Sequence, residues 1–76
     1  MKSIRLSSID LNLLVAFEAM MEQRSVTKAA ENLSIGQPAM SAALSRLRHL
    51  FKDPLFVRFG REMQPTAKAQ NIAPAI

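Results

Sequence analysis

Apolar residues recur at helical spacing through the first two thirds of the chain and then give way to a short alternating stretch. Leu13, Leu14, Phe17, Met20 and Met21 share one side, which predicts a helix from Asp10, as N-cap, to about Gln23. Arg24-Ser25 ends it, and Ser25 is placed to cap a second helix from Val26 to Leu33 that carries the pair Ala29-Ala30. A tight turn around Ser34-Ile35-Gly36 follows. At about 100° per residue the next stretch, Gln37 to Lys52, sorts into two arcs. Ala39, Met40, Ala43, Leu44, Leu47, Leu50 and Phe51 form one; Gln37, Pro38, Ser41, Ala42, Ser45, Arg46, Arg48, His49 and Lys52 form the other. Gly36 reads as its N-cap, and Pro38 costs little in a first turn, where its missing N–H would have no intrahelical partner.

Beyond Phe51 the period changes. Asp53-Pro54 marks a turn, Leu55-Phe56-Val57-Arg58 a strand, Phe59-Gly60-Arg61-Glu62 a loop and Met63-Gln64 a return strand before Pro65. This predicts a small hairpin whose outer prolines suit an edge ribbon. Thr66 then caps a last helix beginning Ala67-Lys68-Ala69-Gln70, which Pro74 kinks or ends early. A packed helix would not be expected to stop at Ile76, so the chain reads as a fragment ending inside a longer linker.

The second and third helices with their short turn have the layout of a DNA-reading helix-turn-helix. Ala29 and Ala30 supply the small residues where the helices cross, and Leu33, Ile35, Met40 and Leu44 are expected to fill the wedge between them. The polar arc then stays free for a groove. Its small and amide side chains lie toward the N-terminus and can approach base edges, while its cations lie toward the C-terminus and can hold phosphates. Any amphipathic helix shows two arcs, so this pattern alone also fits a plain helical bundle. A hairpin after such a helix reads as the wing of a winged helix, with Gly60-Arg61 at its tip able to place a guanidinium in a minor groove. Thr27 and Lys28, in the first turn of the second helix, can be a phosphate contact or simply a cap neighbour and a surface lysine.

Composition narrows the choice. At 76 residues there is room for one domain, which buries only about 60% of its unfolded surface. Ten Lys and Arg against six Asp and Glu give +4. The excess gathers in the C-terminal half at Arg46, Arg48, Lys52, Arg58, Arg61 and Lys68, which suits a polyanion but also fits solvated surface charge. The chain has no cysteine, hence no disulfide framework and no thiolate metal site. His49 is the only histidine and the two glycines lie far apart, so neither a nucleophile–base pair nor a phosphate-cradling loop is available and no enzyme, metal or cofactor is expected. Leu11 to Met21 is too short and too interrupted, at Asn12 and Glu18, to span a bilayer. Neither a signal peptide nor a membrane anchor is read.

Taken in order, Asp10-Leu11-Asn12-Leu13-Leu14, Ala29-Ala30-Glu31-Asn32-Leu33, Gln37-Pro38-Ala39-Met40-Ser41, Arg46-Leu47-Arg48 and Asp53-Pro54-Leu55-Phe56-Val57-Arg58 resemble the N-terminal DNA-binding domain of LysR-type transcriptional regulators. The resemblance runs from Ile9 to about Pro74. Ser41-Ala42-Ala43-Leu44 and Met63-Gln64-Pro65-Thr66 are most similar to the branch of nodulation-gene activators and aromatic-degradation regulators. It implies a mainly α winged helix-turn-helix over residues 1–65, with three helices and a small β-hairpin wing, and the truncated start of a linker helix over residues 66–76. It further implies a homodimer through that linker in the full-length protein, and a small-molecule inducer bound only by an effector domain missing from this chain.

By position, the resemblance assigns base contacts to Gln37, Pro38 and Ser41, a helix-start phosphate contact to Thr27 and the basic wing to Arg58 and Arg61. The exposed arc and the charge pattern add Ala42, Ser45, Arg46 and Arg48 elsewhere on the recognition helix, and Lys28, Gly36 and Lys52 as further candidates beside the backbone. Two positions depart from the family pattern. Ala42 stands where many members have Arg, for which Arg46 or Arg48 can compensate, and Gly36 stands where many have Ser or Thr, so a hydroxyl is lost. The expected partner is double-stranded operator or promoter DNA, read by two subunits on an interrupted inverted repeat in a bacterial, cytoplasmic, nucleoid-associated protein, with no membrane partner. The rival reading is a basic helical module that binds a protein or an acidic surface. The polar arc argues against it, because it has no large apolar anchor between Gln37 and Arg48.

Overall fold

A computed structural model describes residues 11–75; the expected cap at Asp10, and the start of the family pattern at Ile9, lie outside the described residues. Helix α1 (Leu11–Gln23) is followed by α2 (Val26–Asn32), α3 (Gln37–Phe51), an antiparallel hairpin of β1 (Phe56–Phe59) and β2 (Glu62–Pro65), and α4 (Ala67–Ile72), which passes into a 3-10 turn at Ala73–Ala75. Pro74 thus ends the α-helix early, as expected, since its ring cannot continue the hydrogen-bond ladder.

Local chemistry explains each boundary. Arg24 turns left-handed at φ 53, and Ser25, in an extended conformation, accepts the Lys28 N–H on its hydroxyl at 3.2 Å to start α2. At the other end of α2 the Ile35 N–H reaches Ala30 O (3.0 Å) and the Ser34 N–H reaches Glu31 O (3.1 Å), with Ser34 at φ 57. This is a Schellman turn in which serine occupies the position that glycine usually takes. It makes the link between α2 and α3 both short and rigid. Gly36 opens α3 without a side-chain cap, and Lys52 closes it in a left-handed conformation.

The core is built from one stripe of each helix. Leu13, Ala16, Phe17 and Met20 of α1 meet Ala29 and Ala30 of α2 and Met40, Leu44 and Leu47 of α3, with Leu55, Phe56 and Ala69 closing the far side. The Phe17 and Phe56 rings lie 5.7 Å apart at 55°, a tilted geometry that aromatic quadrupoles favour. Both alanines of α2 are buried, in keeping with a close helix crossing there.

Three expectations need correction. Ile35 does not fill the wedge: it is 40% exposed and lies in the link between α2 and α3, on neither helix's buried stripe. Ala39 is exposed too, and with Val15, Ile35 and Ala42 it lines an open groove beside Arg46. The hairpin begins one residue later than its apolar pattern suggests and turns over Gly60-Arg61 alone. Leu55 stands at φ 63, outside strand geometry, with its N–H on Asp53 Oδ2 (2.8 Å) and its carbonyl on the Thr66 N–H (2.8 Å). Gly60 is left-handed at φ +67 while Arg61 is not, which fits a type II′ turn.

Candidate nucleic-acid interface

Helix α3 buries Met40, Leu44 and Leu47 and leaves Gln37, Pro38, Ser41, Ala42, Ser45, Arg46 and His49 exposed. The exposed side begins with small and amide groups and acquires a cation two turns later at Arg46. Such a surface lets a helix approach base edges closely at its N-terminal end.

Arg48, expected on the DNA-facing arc, is placed differently. It is half-buried, and its guanidinium donates from Nε to Pro54 O (2.8 Å) and from Nη2 to Phe56 O (3.0 Å). The side chain folds back onto these two carbonyls, of which Pro54 O also accepts the Phe56 N–H (2.6 Å) across Leu55. Arg48 therefore fastens the wing to α3, and of the two cations expected to compensate for Ala42, Arg46 is the exposed one.

At the start of α2 Ser25 caps the helix as expected. The Lys28 N–H is occupied by Ser25, so it is not free for a phosphate, although the Lys28 side chain is exposed. The Thr27 hydroxyl donates to Gln37 Oε1 at 3.4 Å across ten residues of sequence. Gly36 offers only backbone; its carbonyl accepts the Ala39 and Met40 N–H groups, each at 3.1 Å.

On the wing, Arg58 and Arg61 are exposed, as is Lys52 at the end of α3. Val57 and Phe59 are exposed on the hairpin's other face, Phe59 to 75%. Arg24 holds the return strand with two bonds. The Met63 N–H donates to Arg24 O (2.9 Å), and Arg24 Nη1 donates to Gln64 Oε1 (3.3 Å). Arg24 was legible in sequence only as a helix end; no local signal marks its partner forty residues away.

No group of three or more His, Cys, Asp or Glu side chains among the described residues is placed to hold a metal ion. None of the described helices is long and apolar enough to cross a membrane.

Residues 11–70 match the family described as bacterial regulatory helix-turn-helix protein, lysR family. Nodulation protein D 1 of Bradyrhizobium japonicum is 51% identical over 73 residues, covering 96% of this chain and 23% of that protein. The chain thus spans less than a quarter of the curated relative. Among solved structures, a probable transcriptional regulator from Pseudomonas aeruginosa superposes with TM-score 0.87 at 47% identity over 92% of this chain and 24% of that one. A complex of BenM_DBD with benA site 1 DNA superposes with TM-score 0.80 at 30% identity, covering 88% of this chain and 75% of that one.

Proposed function

The chain belongs to the lysR family of bacterial regulatory helix-turn-helix proteins, whose winged fold is a DNA-binding domain and not an enzyme class, and we propose that it reads duplex DNA by sequence. In this reading α3 enters the major groove and the wing tip at Arg61 enters the adjacent minor groove. Residues 1–65 are the reading domain, and residues 66–76 begin the helix that joins two subunits on an interrupted inverted repeat, their half-sites roughly 34 Å apart. A small-molecule inducer would act through a further domain of the full-length protein, and the assembly would sit on operator DNA in the nucleoid.

The observation that carries the reading is the division of α3 into a buried stripe and an exposed arc whose N-terminal end is small and uncharged. Base edges then fall to Gln37, Pro38 and Ser41, with Ala42 and Ser45 in van der Waals support. Gln37 is suited to a bidentate bond with adenine, which is worth about 1 to 3 kcal/mol of discrimination. Arg46, Lys28, Lys52, Arg58 and Arg61 supply the sequence-independent attraction to phosphates, and Gly36 allows the backbone to come close. Arg48 positions the wing instead of touching DNA.

The test is a binding selection from random duplexes at two salt concentrations, followed by fluorescence anisotropy on the enriched sequence. An interrupted symmetric site supports the dimeric reader, and a single short site supports base reading by one domain. Attraction with no enriched sequence, vanishing as salt rises, would leave only a basic surface.

A further inference from the structure

Two helix starts meet at one point of this surface: Thr27 lies in the first turn of α2, Gln37 is the first residue of α3, and the Thr27 hydroxyl donates to Gln37 Oε1 at 3.4 Å. The separation is long for a hydroxyl–carbonyl bond, so what the contact contributes is a bias in the amide's orientation and little stability.

Orientation is what an exposed carboxamide lacks. Its last torsion is broad and nearly two-fold, so a free glutamine offers donor and acceptor in either order and discriminates weakly between base edges. A hydroxyl by itself can bond the amide either way round. In the structure Oε1 is the amide atom that faces Thr27, and the partial positive charge at the start of the fifteen-residue α3 favours the same order, with the NH2 group turned outward. Oε1 retains a second lone pair after accepting from Thr27, so two-point contact with a base stays open in one order only. The residue before Gln37 contributes nothing here, because Gly36 has no side chain to cap α3.

We propose that Thr27 is a positioning residue for specificity, holding the Gln37 amide with Nε2 toward the DNA, and so helps set the base preferred at one position of each half-site. The inference rests on the DNA-reading function above and goes beyond it by replacing the expected phosphate contact of Thr27 with an action through Gln37.

The experiment compares wild type, Thr27→Val, Thr27→Ser and Gln37→Ala against the selected duplex and its single-base substitutions, by anisotropy at fixed salt. Thermal melting beforehand confirms that each variant is folded. A well-made two-point contact gives roughly 5- to 150-fold discrimination. Thr27→Val is expected to reduce the preference at the Gln37-dependent position by about fivefold or more while leaving affinity for substituted duplexes nearly unchanged, and Thr27→Ser to restore it. In a Gln37→Ala background Thr27→Val should add little, because Thr27 acts through the amide that is no longer there. Equal weakening on every duplex would mark a backbone contact and overturn the proposal, as would a preference that survives Thr27→Val. A wild-type protein with no base preference overturns the DNA-reading function itself, and the role of Thr27 with it.

Discussion

The Asp53 carboxylate and the Thr66 hydroxyl, thirteen residues apart in sequence, meet at 2.7 Å. The same Oδ2 accepts the Leu55 N–H, and Thr66 Oγ1 in turn accepts the Ala69 N–H that begins α4. One carboxylate thereby joins the end of α3, the base of the wing and the start of the last helix. It also helps hold Leu55 at a positive φ, which a bulky residue rarely adopts.

This clamp predicts an acid-sensitive fold. The Thr66 hydroxyl above all, then the Leu55 N–H, lower the Asp53 pKa against a smaller desolvation effect, with Lys68 adding attraction. A carboxyl whose folded pKa is depressed stabilises fully above its unfolded value, near 3.9, and loses that contribution as pH falls through the folded value. Asp53→Asn should lower the urea midpoint at pH 7, and the gap from wild type should close as pH drops below about 4. A gap unchanged between pH 7 and 3 would show that the charge plays no part.

Arg48 and Arg61 should separate structure from electrostatics. Arg48→Ala removes two bonds to backbone carbonyls and is expected to destabilise the fold by about 1 to 3 kcal/mol, read from chemical denaturation. Its effect on DNA affinity should leave the salt dependence unchanged. Arg61→Ala should do the reverse, with little change in stability and a slope of log affinity against log salt smaller by about 0.9.

The difference between these arginines shows what could be read from sequence and what could not. Helix periodicity located α1, α2 and α3 because burial follows the 3.6-residue repeat directly, and Ala29-Ala30 announced a close crossing. On a helical wheel, however, Arg46 and Arg48 share the polar arc, and only the position of the Pro54 and Phe56 carbonyls draws Arg48 back. The wing's start shifted because Leu55 looks like strand but is fixed left-handed by Asp53 and Thr66, a tertiary effect. Ile35 and Ala39 look like core, yet the packing of the helices leaves both exposed. In the candidate site, the exposed arc was legible; the bond from Thr27 to Gln37 needed the fold.

Two left-handed positions predict opposite signs. Ser34 adopts φ 57 with a side chain that disfavours it, so Ser34→Gly should stabilise by about 0.5 to 1 kcal/mol, the relief exceeding the added freedom of the unfolded chain. Gly60 adopts φ +67 with nothing within 4 Å of a added Cβ, so Gly60→Ala meets no clash and only strain, and should destabilise by about 1 kcal/mol. Paired urea titrations check both. Equal signs would show that turn conformation does not govern either site.

The N-terminus of α3 offers a further gain. Gly36 sits at φ −73 and ψ 153 with no side-chain cap, an ordinary extended conformation, and a Cβ there would meet only Pro38 Cδ at 3.6 Å. Gly36→Ser should therefore fit without displacement, supply the missing cap and restrict the unfolded chain, raising stability by about 0.5 to 1 kcal/mol. If the added hydroxyl caps α3 and leaves the Thr27–Gln37 bond intact, base preference stays as in wild type while the melting midpoint rises. A midpoint that does not rise would mean that the first-turn N–H groups are already satisfied by solvent as well as a serine would satisfy them.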